Sequence, residues 1–164
     1  MAVLAVEPTD QLLEIGCGPG VAVSLVCEKL YGGSITAIDR SARMIETARK
    51  LNADHVASGV ASFQTASLED AELGEVRFDK IFAINVGLFW RQQPVRELTP
   101  LRNHLAPKGR LFLFHEPPPG STAPPIATSV PAALESSGFT VMEILTQDLG
   151  RTRIGCVIAG DGPP

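Results

Sequence analysis

No apolar run in this 164-residue chain approaches the length needed to cross a bilayer. The opening MAVLAV has no basic flank and is too short for a signal-peptide core. A cytoplasmic location is therefore expected. Cysteine is sparse: Cys17, Cys27 and Cys156 form neither a CxxC pair nor a disulfide framework, which fits a reducing compartment. No grouping of His, Cys and Asp has metal-ligand spacing, so no metal is expected. Basic residues are outnumbered, with a net charge of −4, and a nucleic-acid partner requires a basic face. There is no internal repeat and no sign of a second domain. We expect one domain over residues 1–164, with a core at about 10–159 and a flexible tail at 160–164.

What is present is alternation. Short apolar segments read as buried strands at Gln11–Ile15, Ser34–Ile38, Val60–Thr65, Phe78–Ile84 and Arg110–Phe114. Amphipathic segments fall between them. One helix is predicted from Gly20 to Leu30 and a second through Leu51, the latter capped by Ser41. A third starts near Pro94 and runs towards Leu105, with Pro100 expected to kink or restart it. A helix at about Ser129–Ser137 then leads to strands at Phe139–Leu145 and Thr152–Ala159. The order predicts an α/β fold: a doubly wound, mostly parallel sheet of seven strands with one antiparallel strand, and helices on both faces. Ligands of such sheets bind at the carboxyl ends of the strands.

The segment LLEIGCGPG, residues 12–20, lies at such an end. Its glycines let a backbone come close to a ligand, and the following helix turns free N–H groups towards it. Cys17 inside the turn reads as a small filler rather than a reactive thiol. On these features alone a dinucleotide site and an S-adenosylmethionine site are both open. The dinucleotide fingerprint G-x-G-x-x-G fails, because Val21 stands where the third glycine belongs.

The spacing found, Glu14-x-Gly16-x-Gly18-x-Gly20, resembles motif I of the class I S-adenosylmethionine-dependent methyltransferases. FDKIFAINVGLF resembles motif IV of that family, and LRNHLAPKGRLFLF is similar to its helix, turn and fifth strand. The likeness spans about residues 10–159. It implies a Rossmann-like sheet, S-adenosylmethionine as cofactor and S-adenosylhomocysteine as product. It implies a cofactor site built from Glu14, Gly16, Cys17, Gly18 and Gly20, with Asp39 accepting hydrogen bonds from the ribose hydroxyls. Arg40 and Met44 would cover the adenine, and Ser67 and Leu68 would meet its edge. Asn85 and Val86 would lie beside the sulfonium and the amino-acid end. Each position also has a plain structural reading: Asp39 as a helix cap, Met44 as core, Asn85 as a turn residue.

Two departures from the family stand out. Ser67 occupies a place where the family commonly has Asp, with Glu69 and Asp70 as alternatives for the same task. Little chain precedes the first strand, where the family usually has covering helices. An open site, closed by a second copy or a partner subunit, is expected. The proline-rich EPPPGSTAPP, residues 116–125, is a candidate lid. His115 is the candidate base, with Phe89, Trp90 and Arg91 as candidate walls of an acceptor pocket. The expected activity is methyl transfer to a small molecule. Two alternatives remain open: a non-catalytic cofactor-binding module paired with an active methyltransferase, and a nicotinamide-dependent oxidoreductase.

Overall fold

The computed structural model describes residues 2–91, 95–117, 126–148 and 153–161, with the side chains of 90–91, 95–97 and 126–129 left aside. Its first half runs β1 (Gln11–Ile15), α1 (Val21–Cys27), β2 (Ser34–Asp39), α2 (Ala42–Leu51), α3 (Ala53–Ala57), β3 (Ala61–Thr65) and β4 (Phe78–Ile84). The second half runs α4 (Leu88–Arg91), α5 (Val95–Asn103), β5 (Leu105–His115), α6 (Ile126–Ser136), β6 (Phe139–Asp148) and β7 (Arg153–Asp161). The strands form one seven-stranded sheet in the order β3-β2-β1-β4-β5-β7-β6. β7 is antiparallel to both neighbours, and the other pairings are parallel, as the alternating sequence predicts.

Side chains alternate across the strands and divide the core in two. Leu13 and Ile15 of β1, Ile81 and Ala83 of β4, and Leu111 and Leu113 of β5 pack with Phe89, Leu98, Leu101 and Leu134 from α4, α5 and α6. Leu12, Phe82 and Phe112 face the other way, against Val23 and Val26 of α1 and Ile45 and Ala48 of α2. Leu4, fully buried, adds the amino-terminal segment to this second core. Burying one such side chain stabilises the fold by about 1.5–3 kcal/mol. The sheet order reverses between β1 and β4, which opens a crevice at their carboxyl ends.

Several expected boundaries shift, each for a local reason. α1 starts after Gly20, whose φ of 83° is not helical, and stops at Cys27. Lys29 and Leu30 donate to Val26 and Cys27 in a tighter turn beyond it. β5 starts at Leu105 rather than Arg110, because the chain already pairs there with Phe78 before a register shift. α5 continues through Pro100 to Asn103. The expected flexible tail begins too early: Gly160 pairs with Arg110 and Thr140, and Asp161 with Phe139. Asp161 also binds Arg102 at 2.9 Å. Pro94, most of the 116–125 segment and residues 162–164 lie outside the described residues. Among those described, no helix is long and apolar enough to cross a membrane.

Candidate functional site

The glycine turn is built by backbone bonds from β1 across to β2. Gly16 and Cys17 both donate to the Ile38 carbonyl, at 2.8 and 3.0 Å, and Gly20 closes the turn on Cys17 at 3.0 Å. All three glycines have positive φ: 69° at Gly16, 52° at Gly18 and 83° at Gly20. Their surroundings nevertheless differ. A Cβ on Gly16 would stand 2.5 Å from Val86 Cγ2, so this glycine lets β1 and β4 close on each other. A Cβ on Gly20 would strike Ala48 and Asn52 at 2.8 Å, so this one lets α2 approach the turn. A Cβ on Gly18 would meet nothing within 4 Å.

Asp39, at the end of β2, ties the turn to the next helix. Its Oδ2 accepts from the Gly18 N–H at 2.9 Å and its Oδ1 from the Ser41 N–H at 2.8 Å. Ser41 caps α2 as expected, accepting from Met44 N at 3.3 Å. Each carboxylate oxygen keeps a further lone pair for a ligand.

A cavity of about 610 Å³ opens beside this turn, within the size range of small-molecule sites. Of the residues expected at the site, Gly16, Asp39, Arg40, Ser67, Leu68, Asn85 and Val86 line it. Ile15, Ile38, Ala66, Ile84 and Leu88 also contribute and were not anticipated. Their sequence signal was only that of strand-end apolar residues. Glu69 lines the cavity, while Asp70 binds Ser67 instead: Ser67 Oγ donates to Asp70 Oδ2 at 2.6 Å.

Asn85 follows β4 with a φ of 56° and joins two strand ends. Its N–H donates to the Phe114 carbonyl at 3.0 Å, and its Oδ1 accepts from Glu116 N at 2.7 Å.

Other expected site residues fall behind the cavity wall. Glu14 is 2% exposed, and its Oε2 has no hydrogen-bond partner. Burial first, and the charge of Asp39 second, push its carboxyl up to about 8. Cys17 is buried, and its thiol is pushed up to about 12 by burial, then by Glu14 and Asp39. A thiol held protonated is a poor nucleophile. Gly18 and Gly20 shape the turn without lining the cavity, and Met44 stays on α2 outside it. His115 ends β5 opposite Gly155 and lines no part of the cavity. Phe89 is fully buried in the α4–α6 core rather than walling a pocket. The side chains of Trp90 and Arg91 lie outside the described residues.

Among the buried polar residues that the sequence reading did not single out, one braces the turn. Asn52, 1% exposed, donates from Nδ2 to the carbonyls of Gly20 and Ala48 and accepts from Ser24 Oγ at 2.7 Å. It fastens α1, α2 and the glycine turn together. An Asn at a helix end was the only hint.

The sheet order and the glycine turn define a Rossmann-like fold of the class I methyltransferase type. A family model described as a methyltransferase domain matches residues 12–109, and the chain belongs to that family. It is 33% identical over 101 residues to malonyl-acyl-carrier-protein O-methyltransferase of Priestia megaterium, covering 62% of this chain and 35% of that protein. It is likewise 33% identical over 104 residues to trans-aconitate 2-methyltransferase of Delftia acidovorans, covering 62% and 36%. The chain thus matches only about a third of the length of these relatives. Among solved structures, the magnesium protoporphyrin IX methyltransferase of Synechocystis with bound S-adenosylmethionine superposes with a TM-score of 0.72 at 19% identity, covering 94% of this chain and 71% of that one. The cyclase SpnF superposes with a TM-score of 0.79 at 14% identity, covering 98% and 78%. These likenesses show the fold.

Proposed function

We propose that the chain binds S-adenosylmethionine in the 610 Å³ cavity and transfers its methyl group to a small-molecule acceptor. The observation that carries this reading is the Asp39–Gly18 bond, which sets a carboxylate on the cavity wall beside the open side of the glycine turn. The remaining lone pairs of Asp39 suit the two ribose hydroxyls. Arg40 and Leu68 flank the place for adenine, and Ser67 and Glu69 supply polar groups at its edge. Asn85 and Val86 stand where β4 meets the turn, suited to the amino-acid end.

When bound, the cofactor supplies an electrophilic methyl on a sulfonium. The work left to the protein is to hold two reactants in line and keep water away, which is catalysis by positioning. The rigid strand ends of β1, β2 and β4 provide the first part. Apolar Ile15, Ile38, Ile84 and Leu88 in the cavity wall provide the second.

Calorimetric titration with S-adenosylhomocysteine and NADH, side by side, tests the reading. Binding of S-adenosylhomocysteine with negligible heat from NADH is expected. The reverse result would return the chain to the nicotinamide-dependent alternative. Transfer of a labelled methyl group across a panel of small acceptors tests the second half; cofactor binding without any transfer would favour a cofactor-binding module.

A further inference from the structure

We infer that a second, smaller cavity beside the first receives an aromatic ring of the methyl acceptor, with Asn85 orienting that ring at the junction. This rests on the methyltransferase reading of the larger cavity. The second cavity measures about 120 Å³ and shares Ile84 and Asn85 with the first. The two cavities adjoin at these residues, which places a ligand in one next to a ligand in the other. The remaining wall is formed by Leu4, Phe82, Phe114 and Ile154, with Glu116 as its charged member.

Size and chemistry both select a ring. An apolar protein cavity of about 150 Å³ accepts benzene, and this space, at about 120 Å³, is of the same order. Phe114 stacks on Phe112 at 6.4 Å between ring centroids and 8° between planes, which holds one wall flat. Among the described residues, no Lys or Arg lines this cavity. A carboxylate head would therefore meet the Glu116 carboxylate with no cation to offset it. A neutral phenol meets no such repulsion.

Asn85 supplies the polar contact. Its backbone is pinned to Phe114 and its Oδ1 to Glu116 N, while its side-chain amide nitrogen makes no hydrogen bond among the described residues. That NH₂ is a donor at the seam of the two cavities, held in place by bonds at both ends of the residue. A ring oxygen accepting from it would stand at the entrance to the larger cavity.

The test uses the full chain, labelled at the Ile and Leu methyl groups, titrated with phenol, benzene and malonate in the presence of S-adenosylhomocysteine. Phenol and benzene are expected to shift the Ile154, Ile84 and Leu4 methyls saturably, and malonate to leave them unmoved. Ile154→Trp, which fills the cavity, should weaken phenol at least tenfold while S-adenosylhomocysteine affinity stays within twofold. Asn85→Asp should weaken phenol several-fold and leave benzene unchanged. Phenol shifts absent from a protein that binds S-adenosylhomocysteine would overturn the ring site, as would malonate seating at the same methyls. Unchanged phenol affinity in Ile154→Trp would do the same. Loss of S-adenosylhomocysteine binding with phenol still at Ile154 would overturn the cofactor reading instead.

Discussion

Asp39 and Gly18, 21 residues apart in the chain, meet through a 2.9 Å bond from the Gly18 N–H to Asp39 Oδ2. A carboxylate facing a ligand cavity is therefore also a structural tie, because its other oxygen holds Ser41 at the start of α2. Asp39→Ala should weaken S-adenosylhomocysteine about ten- to a hundredfold, the scale of about 1.5–3 kcal/mol for hydrogen bonds to a charged group. It should also lower the melting temperature of the ligand-free protein. Calorimetry and a thermal melt read the two effects separately. A variant that melts normally yet binds weakly would leave Asp39 with a ligand role alone.

The glycines of the turn should respond differently to the same substitution. Gly16→Ala meets Val86 at 2.5 Å in addition to a positive φ, so it should destabilise the free protein markedly. Gly18→Ala meets no neighbour and should cost only the left-handed backbone, about 1–2 kcal/mol. The Gly18 N–H holds Asp39 Oδ2 at the cavity wall, so a shift of this backbone should lower cofactor affinity more than stability. Equal melting temperatures for the two variants would contradict this division.

Glu14 makes stability pH-dependent. Its carboxyl is raised from 4.5 to about 8 in the fold, so the folded state keeps a proton that the unfolded chain releases. The stabilisation is present in full below about pH 4.5 and is lost progressively as pH rises through about 8. Glu14→Gln keeps the shape and removes the titration. Denaturant melts should show this variant more stable than the parent at pH 8, with the difference shrinking towards pH 5. A pH-independent difference would mean that the buried carboxyl does not hold its proton.

Asn52 should behave as a fastener. Asn52→Leu strips hydrogen bonds from Ser24 and from the carbonyls of Gly20 and Ala48 in a buried place. A loss of about 1–3 kcal/mol is expected, the cost of leaving buried polar groups unpaired. Urea melts would measure it. Hydrogen exchange should speed up at Gly20 and in α1 before it does in β4 or β5.

Much of this is legible in the sequence. The apolar runs at Gln11–Ile15 and Phe78–Ile84 became buried strands, and Ser41 became the cap of α2. Local chemistry is enough for such features, since a buried strand needs apolar side chains and a cap needs a hydroxyl at one position. The glycine spacing marked a turn for the same reason, since backbone conformation at a turn depends on its own residues, whereas Asp39 was singled out by the family resemblance. The short helices α3 and α4 escaped notice, because four or five residues are too few to show a period.

The sequence by itself determined the alternation of strands and helices, the place of the glycine turn and the identity of the acid after β2. Only the tertiary structure decided what each of these meets. Gly16 faces Val86, Gly20 faces Ala48 and Asn52, and Gly18 faces open space, although the three look alike in the chain. Glu14 sits behind the cavity wall, and Gly160 and Asp161 join a strand because Arg110, Thr140 and Phe139 lie alongside. The physical reason is the same in each case. Conformational preference is local, whereas close approach, burial and strand pairing depend on residues far apart in sequence that only packing brings together.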